Sequence, residues 1–174
     1  FAKQWKQLGL KFDALYSGFL SSYEQIQIVS DIFDEFKTED NFIIVDPAMA
    51  DFGKLYKTIT PQMAQSMTKL CSKADIIVPN FTEAAILLGE DYKEGPYTRE
   101  YVEDILVRLG KLGPKKVVLT GVYFSKGLTG AAAYSRDIDE VSYAFSQKVS
   151  GNYHGTGDIF ASALLAGLLN GHKL

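Results

Sequence analysis

Short apolar runs alternate along the chain with longer segments in which apolar residues recur every three or four positions. The runs lie at 13–17, 42–45, 76–78 and 117–119, and several are rich in β-branched residues, which is typical of strands buried on both faces. The periodic segments between them predict helices. Because helical crossovers join parallel strands, the order β-α-β-α-β-α-β predicts an α/β fold with a mostly parallel sheet between helices.

Polar residues mark where the predicted helices begin and end. Ser21 and Glu24 have the spacing of a capping box, and Thr60 precedes a proline at the first helical position. Thr82 can cap the next helix, and Gly89 can end it in a left-handed turn. The first of these helices is predicted to bury one face, formed by Ile28, Val29, Ile32, Phe33 and Phe36.

The pattern changes after Gly121. Strands at 131–135 and 141–145 are joined through Arg136-Asp137-Ile138-Asp139, which predicts a hairpin at one edge of the sheet. Residues 159–170 then predict an almost wholly apolar helix, whose Ala and Gly residues allow close packing, and Gly171 ends it. No internal repeat or linker is visible, so a single domain is expected.

Composition narrows the possible partners and location. The 18 Lys and Arg residues and 21 Asp and Glu residues give a net charge of −3, without the basic stripe that nucleic-acid binding needs. A hydrophobic content of 47% predicts a globular protein with a real core. The single cysteine, Cys71, favours a reducing, cytoplasmic location. No apolar run approaches the roughly 18–20 residues needed to cross a membrane.

The segment Gly155-Thr156-Gly157-Asp158 offers the clearest chemistry. Two glycines permit a sharp turn before an apolar helix, so that backbone N–H groups and the helix dipole can hold a phosphate. Asp158 could then take a proton from an attacking hydroxyl group. The alternative is an ordinary helix-start acid after a tight turn. His154, next to this segment, is interpreted as a structural loop residue.

Polar side chains also follow the predicted parallel strands. Asp46 and Asp51 come after one strand, Asn80 and Glu83 after the next, and residues 120–121 (Thr-Gly) after a third. Ligands bind at the carboxyl ends of such strands, and paired carboxylates can hold a magnesium–phosphate complex through water. Each pair taken alone also fits ordinary turn or helix-start chemistry. The dinucleotide fingerprint and the P-loop motif are absent from the sequence.

Taken together and in this order, five segments resemble the pyridoxal kinases of the ribokinase superfamily. They are Tyr16-Ser17-Gly18-Phe19, Asp46-Pro47 through Asp51, Pro79-Asn80-Phe81-Thr82-Glu83-Ala84, Val118-Leu119-Thr120-Gly121 and Gly155-Thr156-Gly157-Asp158. The resemblance implies a ribokinase-like three-layer α-β-α sandwich with an edge hairpin. It also implies a single kinase domain over residues 1–174 that is truncated at both ends. Ala48 and Ala50 depart from the usual residues of the second segment.

The activity implied by the resemblance is transfer of the ATP γ-phosphate to the 5′-hydroxymethyl group of pyridoxal, pyridoxine or pyridoxamine. Asp158 matches the catalytic base beside the substrate, and Gly155, Thr156 and Gly157 match an anion hole. Phe19 matches an aromatic residue beside the pyridine ring. The positions matched to nucleotide and Mg²⁺ are Asp46, Asn80, Glu83, Thr120 and Gly121 for ATP, with Asp51 and Glu83 for the metal.

The resemblance further implies a homodimer, and the use of a monovalent cation such as K⁺ is left open. One alternative is a hydroxymethylpyrimidine kinase of the thiamine pathway, because both substrates carry a hydroxymethyl group on a flat nitrogen heterocycle. Another is a non-catalytic nucleotide-binding protein with the same fold.

Overall fold

The computed structural model describes residues 1–151, 153 and 155–174. The helices are α1 (Ala2–Gln7), α2 (Tyr23–Phe36), α3 (Pro61–Ser72), α4 (Phe81–Leu88), α5 (Arg99–Gly110) and α6 (Thr156–Leu169). The strands are β1 (Ala14–Ser17), β2 (Phe42–Val45), β3 (Ala50–Asp51), β4 (Lys54–Leu55), β5 (Ile76–Ile77), β6 (Lys116–Val122), β7 (Leu128–Ser135) and β8 (Glu140–Gln147).

The central sheet has the predicted parallel part and the predicted hairpin. Within the described residues it is six-stranded, in the order β1-β2-β5-β6-β7-β8. The strands β1, β2, β5 and β6 pair in parallel, whereas β7 and β8 continue the sheet in antiparallel fashion to its edge. The carboxyl ends of β1, β2, β5 and β6 consequently meet at one edge of the parallel part, where ligands are expected.

Apolar side chains cover both faces of this sheet. One face packs against α2, α3, α4 and α5, whose buried residues form a single core cluster with the strands. The other face carries Ile44, Ile76 and Val118, which pack against leucines of α6 such as Leu164 and Leu168. The three-layer arrangement predicted from the strand and helix order is confirmed. Cys71 of α3 lies wholly inside the larger cluster, and burial raises the pKa of its thiol.

The predicted start of α2 is wrong by one residue. Ser22, not Ser21, is the N-cap, and its side chain accepts a hydrogen bond from the Gln25 N–H group at 3.2 Å. The Ser21 N–H group donates instead to the Gln25 side chain at 2.7 Å. The predicted buried face is partly wrong as well, because Ile28 is 56% exposed and Ile26 is buried in its place. Positions 26, 33 and 36 follow the helical repeat that faces the sheet.

Other helix ends test the same capping rules. Thr60 caps α3 as predicted by accepting a hydrogen bond from the Met63 N–H group. Gly89 ends α4 in the predicted left-handed conformation. Thr82 is not the cap of α4, because Asn80 takes that position and Thr82 lies inside the helix. The last helix begins at Thr156, before the predicted 159, since the left-handed Gly155 serves as its N-cap. No helix among the described residues is long and apolar enough to cross a membrane.

Candidate active site

The carboxyl ends of the parallel strands open into one cavity of about 770 Å³. Most of the residues singled out in the sequence line it. They are Phe19, Asp46, Asp51, Asn80, Glu83, Thr120, Gly155, Gly157 and Asp158. Thr156 and Gly121 are not among the lining residues, although each is the chain neighbour of one that is. Side chains that are far apart in the sequence therefore meet in a single site.

The first turn of α6 brings backbone N–H groups and a carboxylate to this cavity. Gly155 has a φ of 81°, which glycine adopts without strain, and no side chain among the described residues caps this end of the 14-residue helix. Asp158 lies in the first turn and is exposed to the cavity. The helix dipole and these amides favour an anion here, as the sequence predicts. His154 lies outside the described residues.

Asn80 and Glu83 join the start of α4 to the segment that follows β2. Each caps the other's backbone, since the Glu83 N–H group donates to Asn80 Oδ1 at 3.0 Å and the Asn80 N–H group donates to Glu83 Oε2 at 2.8 Å. Glu83 Oε1 also accepts from the Met49 N–H group at 3.1 Å, and Asn80 Nδ2 donates to the Ala50 carbonyl at 2.8 Å. Both side chains thus fix the position of the chain around residues 49 and 50.

A short hairpin formed by β3 and β4 makes one wall of the cavity, and the sequence analysis missed it. Phe52 and Gly53 form its turn, with φ angles of 48° and 75°. The Gly53 N–H group donates to Thr82 Oγ1 at 3.0 Å, which ties the tip of the hairpin to α4. The hairpin and the residues just after it supply cavity-lining side chains from Phe52, Lys54, Leu55, Tyr56, Lys57 and Thr58.

Aromatic residues stand at the β1 side of the cavity. The rings of Phe19 and Tyr56 lie 6.4 Å apart between centroids. A Cβ atom at Gly18 would come within 3.2 Å of the Tyr16 hydroxyl and 3.9 Å of Asp158 Oδ1, so these groups border the same small space. Burial, Asp46 and Asp158 raise the pKa of Tyr16 to about 12, which keeps its hydroxyl protonated as a hydrogen-bond donor. Tyr16 was not among the predicted site residues.

Two acids of the cavity, Asp46 and Glu83, have a raised pKa. Burial, followed by the charge of Asp158, raises the pKa of Asp46 to about 7. Burial raises the pKa of Glu83 to about 8, against the opposing effect of the backbone N–H groups that it accepts. Within the part of the chain that the structure describes, no three His, Cys, Asp or Glu side chains converge closely enough to hold a metal ion by themselves.

Asp46→Asn is expected to weaken the pH dependence of stability. Asp46 has a pKa near 4 in the unfolded chain and about 7 in the folded one. Because the folded state binds this proton more tightly than the unfolded state, the contribution of Asp46 to stability is complete below about pH 4 and is lost as the pH rises to about 7. A neutral Asn avoids that loss. Between about pH 5 and about pH 8, the free energy of unfolding of the variant should therefore rise by on the order of 2 kcal/mol relative to that of the wild type.

Urea unfolding at several pH values, without a divalent cation, measures this difference. Parallel stability curves for the two proteins would show that Asp46 is not protonated in the folded state near neutral pH.

Comparison with known proteins decides the family. The model of the phosphomethylpyrimidine kinase family matches residues 2–174. The chain belongs to this family. One similar solved structure is that of a Bacteroides thetaiotaomicron protein named as a phosphomethylpyrimidine kinase, in a crystal form with pyridoxal. Its sequence is 37% identical to this chain, and the two structures superpose with a TM-score of 0.93. That match covers 99% of this chain and 60% of the other chain. The ribokinase-like fold of this kinase family is therefore confirmed.

Two further relatives show the range of the family. A hydroxymethylpyrimidine/phosphomethylpyrimidine kinase of Aquifex aeolicus is 30% identical over 159 residues, which cover 90% of this chain and 58% of the relative. The structure of a Bacillus subtilis pyridoxal kinase in complex with ADP is 25% identical, with a TM-score of 0.77, and the match covers 95% of this chain and 60% of the other. This kinase-family chain spans between 32% and 58% of the first curated relatives that it matches.

Proposed function

We propose that this chain belongs to an ATP-dependent kinase that phosphorylates the 5′-hydroxymethyl group of pyridoxal, pyridoxine or pyridoxamine. The observation that carries the proposal is the meeting of Asp158, the amides at the start of α6 and an aromatic wall in one cavity. A flat heterocycle with a hydroxymethyl group matches these three elements. The relative crystallised with pyridoxal supports the choice of a B6 vitamer.

In the proposed mechanism, Asp158 accepts the proton of the substrate hydroxymethyl group. The oxygen of that group bonds to the γ-phosphorus of ATP while the bond from this phosphorus to the bridging oxygen of ADP breaks. The N–H groups of residues 155–157 and the positive end of α6 stabilise the charge that builds on the transferring phosphoryl group. Phe19 and Tyr56 cover the ring of the acceptor, and Tyr16 offers a protonated hydroxyl beside the base.

Two lysines supply positive charge in the cavity that can bind phosphate groups. Lys54 and Lys57 line it, and neither forms a salt bridge with any described residue, although several carboxylates share the cavity. Unpaired cations beside a helix N-terminus favour a polyphosphate ligand. The relative solved with ADP supports ATP as that ligand. In this proposal Asn80 and Thr120 border the phosphates, and Gly121 lies next to Thr120 in the chain. Asn80 also holds the β3–β4 hairpin.

The residues present also fit a magnesium ion bound together with the nucleotide. Asp46 and Asp51 offer carboxylate oxygens, the donors that Mg²⁺ takes while it keeps several of its waters. Both oxygens of Glu83 already accept backbone hydrogen bonds, so we place Glu83 behind the site and not in direct contact with the metal. When bound, Mg²⁺ would neutralise part of the phosphate charge.

A hydroxymethylpyrimidine kinase is the second candidate, favoured by the name of the matching family and by the Aquifex aeolicus relative. Turnover of ATP by the full-length protein with Mg²⁺, measured on pyridoxal, pyridoxine, pyridoxamine and hydroxymethylpyrimidine, separates the two. We expect the B6 compounds to be preferred. Preference for the pyrimidine would move the assignment to the thiamine pathway, and ATP binding without any turnover would favour a non-catalytic role. The homodimer, the cytoplasmic location and the use of K⁺ remain predictions.

A further inference from the structure

Tyr92, in the loop between α4 and α5, packs against the tip of the β3–β4 hairpin. A Cβ atom at Gly53 would lie 2.8 Å from Cδ1 of the Tyr92 ring and 3.4 Å from its Cε1, so the edge of the ring lies directly against the Gly53 backbone. The Gly53 N–H group also donates a hydrogen bond to Thr82 of α4. The tip of the hairpin is therefore held both by α4 and by the loop that follows it.

The loop is fastened on both sides of Tyr92. Before this residue, the Glu90 carboxylate forms a salt bridge with the Arg108 guanidinium of α5. After it, the Lys93 carbonyl accepts a hydrogen bond from the Tyr97 hydroxyl at 3.2 Å. Because both flanking segments are bonded to other parts of the fold, the Tyr92 ring is presented to the hairpin in a defined position.

Tyr97 joins this loop to the first turn of α4. Its ring stacks on that of Phe81, with 3.6 Å between the ring centroids and 14° between the ring planes, and both residues are buried. Such aromatic pairs add stability beyond the burial of their surface. Phe81 directly precedes Thr82. One turn of α4 thus supports the hairpin tip twice, directly through Thr82 and indirectly through the loop that carries Tyr92.

The hairpin tip carries a lysine into the cavity. Lys54 follows Gly53 directly and pairs with Asp51 across the hairpin. It lines the cavity, whereas Tyr92 is not among the lining residues. The two strands have two residues each, and a hairpin this short is at best marginally stable by its own pairing. The position of Lys54 therefore depends on the contacts that hold the tip from outside.

We propose that Tyr92 is a positioning residue for nucleotide binding, because it fixes the hairpin tip where Lys54 reaches the terminal phosphates. The inference rests on the proposed function, in which ATP is the phosphate donor. Lys54 forms no salt bridge with any described residue, so its ammonium group is available to a phosphate. A cation on a fixed backbone loses less conformational freedom on binding than one on a mobile backbone, and the difference appears as affinity.

The test measures the dissociation constants of ATP and AMP, both with Mg²⁺, for full-length wild type and variants. Tyr92→Ala should weaken ATP binding by about fivefold, the loss expected when a long side chain must be ordered on binding. AMP lacks the terminal phosphates, so its affinity should be unchanged, whereas a general loosening of the fold would weaken both ligands. Tyr92→Phe keeps the ring against Gly53 and should bind ATP like the wild type.

Tyr101→Ala is the matched control. The Tyr101 ring stacks on that of Tyr97 with 5.9 Å between centroids, and Tyr101, like Tyr92, is partly buried. The atoms nearest to a Cβ at Gly53 belong to Tyr92 and not to Tyr101. Tyr101→Ala should lower the melting temperature about as much as Tyr92→Ala and leave ATP binding unchanged. Equal weakening of ATP binding in the two variants would overturn the inference.

A double-mutant cycle with Lys54→Ala tests the route of the effect. If Tyr92 acts through Lys54, the double variant should bind ATP as weakly as Lys54→Ala alone. Additive losses would overturn the inference, as would unchanged ATP binding in Tyr92→Ala. A wild type that binds ATP but phosphorylates none of the B6 compounds would refute the proposed function, yet the comparison of ATP binding would still test Tyr92. A wild type that binds no ATP would overturn both.

Discussion

Asp158→Asn is expected to lower kcat by about 10²- to 10⁴-fold, the range for loss of a positioned base, with little change in the affinity for ATP. Asn keeps the size of the side chain but cannot take the proton of the acceptor hydroxyl. The residue is exposed in the first turn of α6, so the fold should be retained. Steady-state rates with pyridoxal, together with the dissociation constant of ATP, measure the two effects separately.

Glu100→Gln is the matched control for this variant. Glu100 is also an acid in the first turn of a helix, but it belongs to α5 and does not line the cavity. If Asp158 were only an ordinary helix-start acid, the two variants would behave alike, with a small loss of stability and no loss of rate. An unaltered rate in Asp158→Asn would therefore remove this residue from the mechanism.

Glu83→Ala is expected to destabilise the protein by about 2–5 kcal/mol. Glu83 is only 3% exposed, and its two oxygens accept the N–H groups of Asn80 and Met49. Without the carboxylate these donors lose their partners, and the hairpin loses one of its connections to α4. Urea unfolding measures the stability. The activity should fall as well, because the hairpin carries Lys54, and Tyr56 and Lys57 follow it directly in the cavity wall.

Glu83→Gln and Glu39→Ala complete this experiment. Gln offers one accepting oxygen and places a donor against the second N–H group, so its stability should lie between those of wild type and Glu83→Ala. Glu39 is exposed and does not line the cavity, and its replacement should change the free energy of unfolding by less than about 0.5 kcal/mol. A Glu83→Ala protein as stable as the wild type would show that these hydrogen bonds do not hold the hairpin.

Features set by neighbouring residues were predictable from the sequence. The buried strand at 42–45, the cap at Thr60 and the left-handed Gly89 each depend on a few adjacent positions. The order of these elements was enough to place the ligand edge, because parallel strands end on the same side. The one-residue error at the start of α2 has a local cause, because two neighbouring serines satisfy almost the same capping pattern and Ser22 is the one that caps the helix.

Contacts between distant segments were not predictable in this way. β3 and β4 have two residues each, too few to show a period, and their only local signal was the Phe52-Gly53 pair between polar residues. Glu83 holds Met49 through a hydrogen bond between residues that are 34 positions apart in the sequence. Tyr16 stands on a strand, and nothing in the apolar run indicated that its hydroxyl would lie near Asp158. The candidate site residues themselves came from their order along the chain and from the family resemblance.

Because Cys71 is completely buried, chemical labelling of its thiol can report local unfolding of the chain. The thiolate is the form that attacks an alkylating reagent, and this thiol has neither contact with solvent nor an environment that favours its charge. Modification therefore requires α3 to separate from the core. The rate of labelling in native buffer would measure how often that separation occurs, without any added denaturant. A bound nucleotide that holds the cavity together should slow this labelling in proportion to the occupancy of the site.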